Sequence, residues 1–127
     1  RGLGGEQPLP GGTDSPERFA RAAFYSARLP ETSDAREAAT YVFSVIRNAL
    51  APYGTADPVR PNVSTTRWRT VADITDLVYF FESTRSPNVV WVPLAELSFA
   101  PGPERVLDLV NEPDRSGNVA SEFVAVA

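Results

Sequence analysis

The apolar positions of the chain change period near its middle. An opening rich in glycine and proline (Gly2, Gly4, Gly5, Pro8, Pro10, Gly11, Gly12) reads as a loop over residues 1–14. Phe19, Ala22, Ala23 and Tyr25 or Ser26 then fall near helical spacing. Asp14 or Ser15 is placed to cap this helix, Pro16 suits its first turn, and Glu17 lies at the positive end of its dipole. The helix is predicted to run to about Arg28 and to end at Leu29 and Pro30. A second helix starts at Ser33 or Asp34. Ala38, Tyr41, Val42, Val45, Ile46 and Ala49 recur along it at steps of three and four, and Pro52 and Gly54 stop it. This apolar stripe is narrow, so one face is expected to pack on a layer beneath. The short link between the two helices predicts an αα-hairpin over residues 15–51.

Beyond a loop over residues 51–64 that carries Pro52, Pro58 and Pro61, the pattern turns to β-branched and aromatic residues. Thr66–Ile74, Leu77–Ser83 and Asn88–Val92 read as strands, separated by turns at Thr75–Asp76 and Thr84–Pro87. This is an antiparallel meander. Leu94–Leu97 reads as a helical turn, Arg105–Val110 as a strand, residues 111–117 as a turn, and Val119–Val126 as a terminal strand. Residues 65–127 are thus mainly β. The fold class is α+β, with two helices packed on an antiparallel sheet. No segment of the chain is left over to cover the second sheet face, so such a half-sandwich is expected to pack against more protein.

Composition narrows the chemistry. The 127 residues make one ordinary domain, and 43% hydrophobic against 22% charged residues mark a globular chain. There is no cysteine and no histidine, which removes disulfides, thiolate nucleophiles, the usual zinc sites and histidine bases together. No acidic spacing suggests a calcium or magnesium loop, so no metal and no cofactor is expected. The net charge of −4 argues against a nucleic-acid partner. No apolar run is long enough to span a bilayer, and no signal peptide is visible.

Two stretches carry a resemblance. Leu9-Pro10-Gly11, followed by Ser15-Pro16-Glu17-Arg18-Phe19-Ala20-Arg21-Ala22-Ala23-Phe24, resembles a stretch of the choloylglycine hydrolases, the bile salt hydrolases and penicillin V acylases. That stretch reads LPGD, a short turn, then SRF-x-RAAF. Thr66-Arg67-Trp68-Arg69-Thr70-Val71-Ala72-Asp73, continuing to Tyr79-Phe80-Phe81-Glu82-Ser83 and Ser86-Pro87-Asn88, is similar to a strand pair of the Gram-negative members. Leu107-Asp108-Leu109 and Ser116-Gly117-Asn118-Val119 look like the same branch. The chain looks like the C-terminal part of such an enzyme. In two places it departs from the pattern: Gly12 stands where the family has aspartate, and Glu17 where it has serine.

The resemblance implies part of the αββα sandwich of an N-terminal-nucleophile hydrolase. It implies hydrolysis of a linear amide C–N bond in conjugated bile salts, penicillin V or N-acyl homoserine lactones. The nucleophile would be an N-terminal cysteine outside this chain, with its own α-amine as base and an oxyanion hole for the tetrahedral intermediate. Arg18 matches the family's active-site arginine. Beside a cysteine its permanent charge would depress the thiol pKa and stabilise developing negative charge. The implied partners are the remainder of the same enzyme, which carries the cysteine, and a small amide substrate. A homo-oligomer when complete and a periplasmic or secreted location are implied as well. The alternative from another class is a noncatalytic α+β binding or interaction module.

Other residues have plainer readings. Taken alone, Arg18 is an ordinary solvated arginine near a helix start, or one held by Glu17 in a surface ion pair. Arg21 reads as a surface or ion-pair residue. Arg67-Trp68-Arg69 could be a stacking platform for single-stranded nucleic acid, but strand alternation explains it, with Trp68 and Thr70 on one face and Arg67 and Arg69 on the other. Tyr79, Phe80 and Phe81 read as packing residues. Asp73, Asp76 and Glu82 read as turn chemistry and a solvated strand edge rather than paired catalytic carboxylates.

Overall fold

The computed structural model describes residues 11–54, 59, 65–112 and 114–126. Residues 1–10 of the loop expected over 1–14, and most of the loop expected over 51–64, lie outside them. The chain divides into two compact units, Arg1–Thr66 and Arg67–Ala127. The α+β class is observed: two helices come first, then a sheet.

In the first unit, helix α1 (Ser15–Ser26) and helix α2 (Ala35–Asn48) pack side by side as the predicted hairpin. Each helix opens at an aspartate, by different means. Asp34 caps α2 with its side chain, Oδ1 accepting the backbone N–H of Arg36 at 2.8 Å and of Glu37 at 3.1 Å. Asp14 makes no such side-chain cap to α1, where a proline at the start removes one of the donors that a cap would serve.

The buried face of α2 is rotated from the predicted stripe. Ala39, Phe43 and Val45 are buried, whereas Val42 is exposed. The cause is the Phe43 ring. It is the largest apolar side chain in the middle of the helix, and it turns inward with Ala39 one turn before it. Tyr41 meanwhile donates its hydroxyl to Glu37 Oε1 at 2.6 Å on the surface. Helix α1 buries none of its residues; Phe19 is 75% exposed.

In the second unit, strands β1 (Trp68–Asp73), β2 (Val78–Ser83) and β3 (Val89–Pro93) form the predicted antiparallel meander. A short strand β5 (Gly117–Asn118) joins β3 in parallel and makes the sheet mixed, in the order β1-β2-β3-β5. The β1–β2 connection relies on two special positions. Asp73 Oδ1 accepts the backbone N–H groups of Thr75 and Asp76, the turn chemistry expected of it. Leu77 closes the loop at φ 54°, in the left-handed region that a leucine enters only at a cost.

The C-terminal segment departs from its expected form. The strand predicted over Arg105–Val110 is only β4 (Arg105–Val106), because Asp108 bends the chain by accepting the N–H groups of Val110 and Asn111. The terminal strand predicted over Val119–Val126 is broken by a 3-10 turn (Ala120–Glu122). Only β6 (Val124–Ala125) remains of it, paired with β4. Val119 and Ala120 turn inward instead and form a buried cluster with Val90 and Val92. Phe81, Leu97, Leu107, Leu109 and Phe123 pack around that cluster. This tail lies over the Phe81–Val90–Val92 face of its own sheet, so the sheet unit covers one of its faces itself.

Candidate active site

Arg18 is the fourth residue of α1, and its backbone N–H closes the first turn on the Asp14 carbonyl at 3.1 Å. Its half-buried side chain reaches the end of the neighbouring helix. Nε donates to the Ala49 carbonyl, the C-cap of α2, at 2.7 Å. The last carbonyls of a helix have no intrahelical donor and lie at the negative end of its dipole, so a guanidinium is well matched to them. Among the described residues the two terminal nitrogens of Arg18 make no hydrogen bond or ion pair. The arginine is therefore held by one edge of its fork while the other edge remains able to donate.

The surface pair with Glu17 does not form. Neighbours in sequence point about 100° apart around a helix, so the two side chains do not face each other. Glu17 instead lies against Gly12, where an added Cβ would sit 3.3 Å from the Glu17 Cγ. The two departures from the family pattern are thus spatial neighbours: the Glu17 side chain occupies the space that a side chain at position 12 would need.

Arg21 is partly exposed, as expected of a surface residue, but among the described residues it binds backbone carbonyls rather than a carboxylate. One turn beyond Arg18 on the same helix face, its Nε donates to the Asn48 carbonyl at 3.1 Å and its Nη1 to the Gly12 carbonyl at 2.9 Å. Both arginines therefore bind consecutive carbonyls at the end of α2.

The second unit holds an ion pair that sequence reasoning missed. Glu82 is 5% exposed on the central strand β2, not at a solvated edge. Its Oε2 accepts from Arg69 Nε at 2.6 Å, across the Arg69↔Glu82 register pair. The signal was present, since the two residues are equidistant from the Thr75–Asp76 turn. Strand alternation holds in β1, with Trp68 60% exposed and Arg69 and Val71 on the more buried side. Phe80 and Phe81 pack as expected, with the Phe80 and Trp91 rings 6.1 Å apart, but Tyr79 is exposed.

A groove of about 450 Å³ opens between the link that joins the two helices and α2, lined by Leu29, Pro30, Glu31, Thr32, Ala38, Tyr41 and Val42. Two of its lining hydroxyls, those of Thr32 and Tyr41, donate to Glu37. Those two bonds, Thr32's the stronger influence, hold the Glu37 carboxyl below its ordinary pKa, while the bond to Glu37 raises that of the Tyr41 phenol. Both shifts move away from neutrality, so neither group is poised for proton transfer near pH 7.

The family model of linear amide C-N hydrolases, choloylglycine hydrolase family, matches residues 1–114. The chain belongs to this family. It is 43% identical over 122 residues to a penicillin V acylase of Pectobacterium atrosepticum, an alignment that covers 84% of this chain and 32% of that protein. It also superposes on the structure of penicillin V acylase from Agrobacterium tumefaciens with a TM-score of 0.81 and 41% identity, over 98% of this chain and 41% of that one. The chain therefore carries part of the N-terminal-nucleophile hydrolase fold, and it spans about a third of the length of the curated relative it matches.

Proposed function

We propose that this chain is part of an amidase that hydrolyses linear amide C–N bonds, in conjugated bile salts, penicillin V or N-acyl homoserine lactones. The nucleophile is an N-terminal cysteine outside the 127 residues, activated by its own α-amine. The remainder of the same enzyme is the partner, and the complete enzyme is a homo-oligomer in the periplasm or secreted. Family membership and the two penicillin V acylase relatives support the reaction class. The observation that carries the role of this segment is Arg18, anchored through Nε and with its outer edge making no bond among the described residues. Its permanent charge favours the thiolate over the thiol and meets the negative charge that grows on the carbonyl oxygen during attack.

With no cysteine in its sequence, the chain alone is inactive. Highly purified 1–127 material should not hydrolyse penicillin V or glycocholate; measurable turnover would overturn the assignment of the nucleophile. In the complete enzyme, Arg18→Ala should lower turnover on the order of 100- to 1000-fold. Arg18→Lys should restore only part of this, because an ammonium keeps the charge but lacks the planar fork. Arg28→Ala is the control. Its guanidinium lies over the Phe24 ring and bonds only the Phe24 carbonyl.

A further inference from the structure

We infer that Arg21 is a positioning residue for this reaction, acting through Arg18; the inference rests on the reading of Arg18 given above. Three observations carry it. Arg18 and Arg21 stand one turn apart on α1 and bind the carbonyls of Ala49 and Asn48, which are consecutive at the end of α2. Arg21 also binds the Gly12 carbonyl, so one fork ties together the segment before α1, α1 itself and the end of α2. Helix α1 buries no side chain, so apolar packing does not fix how it sits against α2. The chain that leaves α2 is tied down two residues beyond Ala49. Ala51 exchanges hydrogen bonds with Thr66, its N–H donating to Oγ1 at 3.0 Å and its carbonyl accepting the Thr66 N–H at 2.9 Å.

The Ala49 carbonyl sets the plane of the Arg18 guanidinium, and Arg21 sets where that carbonyl lies relative to α1. Removing Arg21 leaves the charge of Arg18 intact but releases α1 to slide or rotate by fractions of a helical turn. A stabilising donor displaced by about 1 Å is known to cost on the order of 100-fold in rate, while substrate affinity need not change. Arg21 requires two donors at a fixed angle, one for each carbonyl, which an arginine fork provides and a single ammonium does not.

The test uses the complete enzyme, with penicillin V as substrate, and four variants: Arg18→Ala, Arg21→Ala, Arg21→Lys and the Arg18→Ala/Arg21→Ala double. Arg21→Ala should lower kcat by about 10- to 100-fold with KM within about threefold, since only an interaction made in the transition state is disturbed. The double variant should be no slower than Arg18→Ala alone, because Arg21 has nothing to position once Arg18 is gone. Arg21→Lys should keep the fold, checked by circular dichroism, and still lose most of kcat. Losses that multiply in the double variant, an unchanged kcat in Arg21→Ala, or full turnover in Arg21→Lys each overturn the inference. If Arg21→Ala does not fold, Arg21→Lys decides alone on the same terms. A normal Arg18→Ala overturns the reading of Arg18 and this inference with it, whereas a slow Arg18→Ala whose loss multiplies with that of Arg21→Ala overturns this inference only.

Discussion

In the helical unit the first helix buries none of its side chains, whereas in the sheet unit Val119 is fully buried and Val90 and Val92 nearly so. Helix α1 is held to α2 by guanidinium-to-carbonyl bonds at one end, from Arg18 and Arg21. The sheet is held by a packed apolar cluster and, on its other face, by the Arg69–Glu82 pair. Apolar packing is nondirectional and tolerates small shifts in angle, whereas a guanidinium fork fixes orientation. Arg18 sits in the unit held by such forks. Three large apolar side chains of α1, Phe19, Phe24 and Tyr25, are exposed.

The contrast can be broken most severely at the sheet. Glu82→Ala leaves the Arg69 guanidinium, only 12% exposed, without its carboxylate. This should cost about 3–5 kcal/mol, read as a shifted urea midpoint. Replacing both partners by apolar residues should recover most of that loss. A cost below about 1 kcal/mol would class the pair with ordinary surface ion pairs and remove the second support of the sheet. In the helical unit, Asp34→Ala should cost about 1 kcal/mol, because two N–H groups of α2 lose their acceptor. The same urea titration checks this, and no change would show that the cap adds nothing to the hairpin.

The smallest effect is electrostatic. The Asp108 carboxyl is held below its ordinary pKa, chiefly by the Asn111 backbone N–H, with the Asn111 side-chain amide and the Val110 N–H adding to it. A depressed folded pKa means the carboxylate contributes stability above the unfolded pKa and loses it as pH falls through the folded value. The melting-temperature gap between the parent chain and Asp108→Ala should therefore be open at pH 7 and narrow as pH drops below about 4. A gap that is constant with pH would mean the turn owes nothing to the charge.

Much of this was legible before the structure. The two helices, the meander and the Thr75–Asp76 turn follow from periodicity and turn residues, because each is specified by neighbours in sequence. Arg18 was singled out by resemblance, and by nothing in the local pattern. What stayed hidden depends on partners distant in sequence. Arg21 reads as a surface arginine because its acceptors are backbone carbonyls, which no sequence pattern marks. Val119–Val126 has the composition of one strand, but burial of Val119 and Ala120 in the core breaks it. Glu82 is the exception. Its partner follows from counting back across the Thr75–Asp76 turn, but a glutamate in a strand pattern reads as solvated.

The central claim is that the outer edge of Arg18 stabilises negative charge during amide hydrolysis, and chemical rescue tests it most directly. Turnover of the complete Arg18→Ala enzyme would be measured with and without added guanidinium ion. The account predicts a loss on the order of 100- to 1000-fold without the ion and a partial, saturable recovery with it, since a free guanidinium can occupy the vacated donor position. Near-normal turnover of Arg18→Ala in a folded enzyme, or a loss that guanidinium leaves untouched, would contradict it and leave Arg18 as a tether of α2 alone.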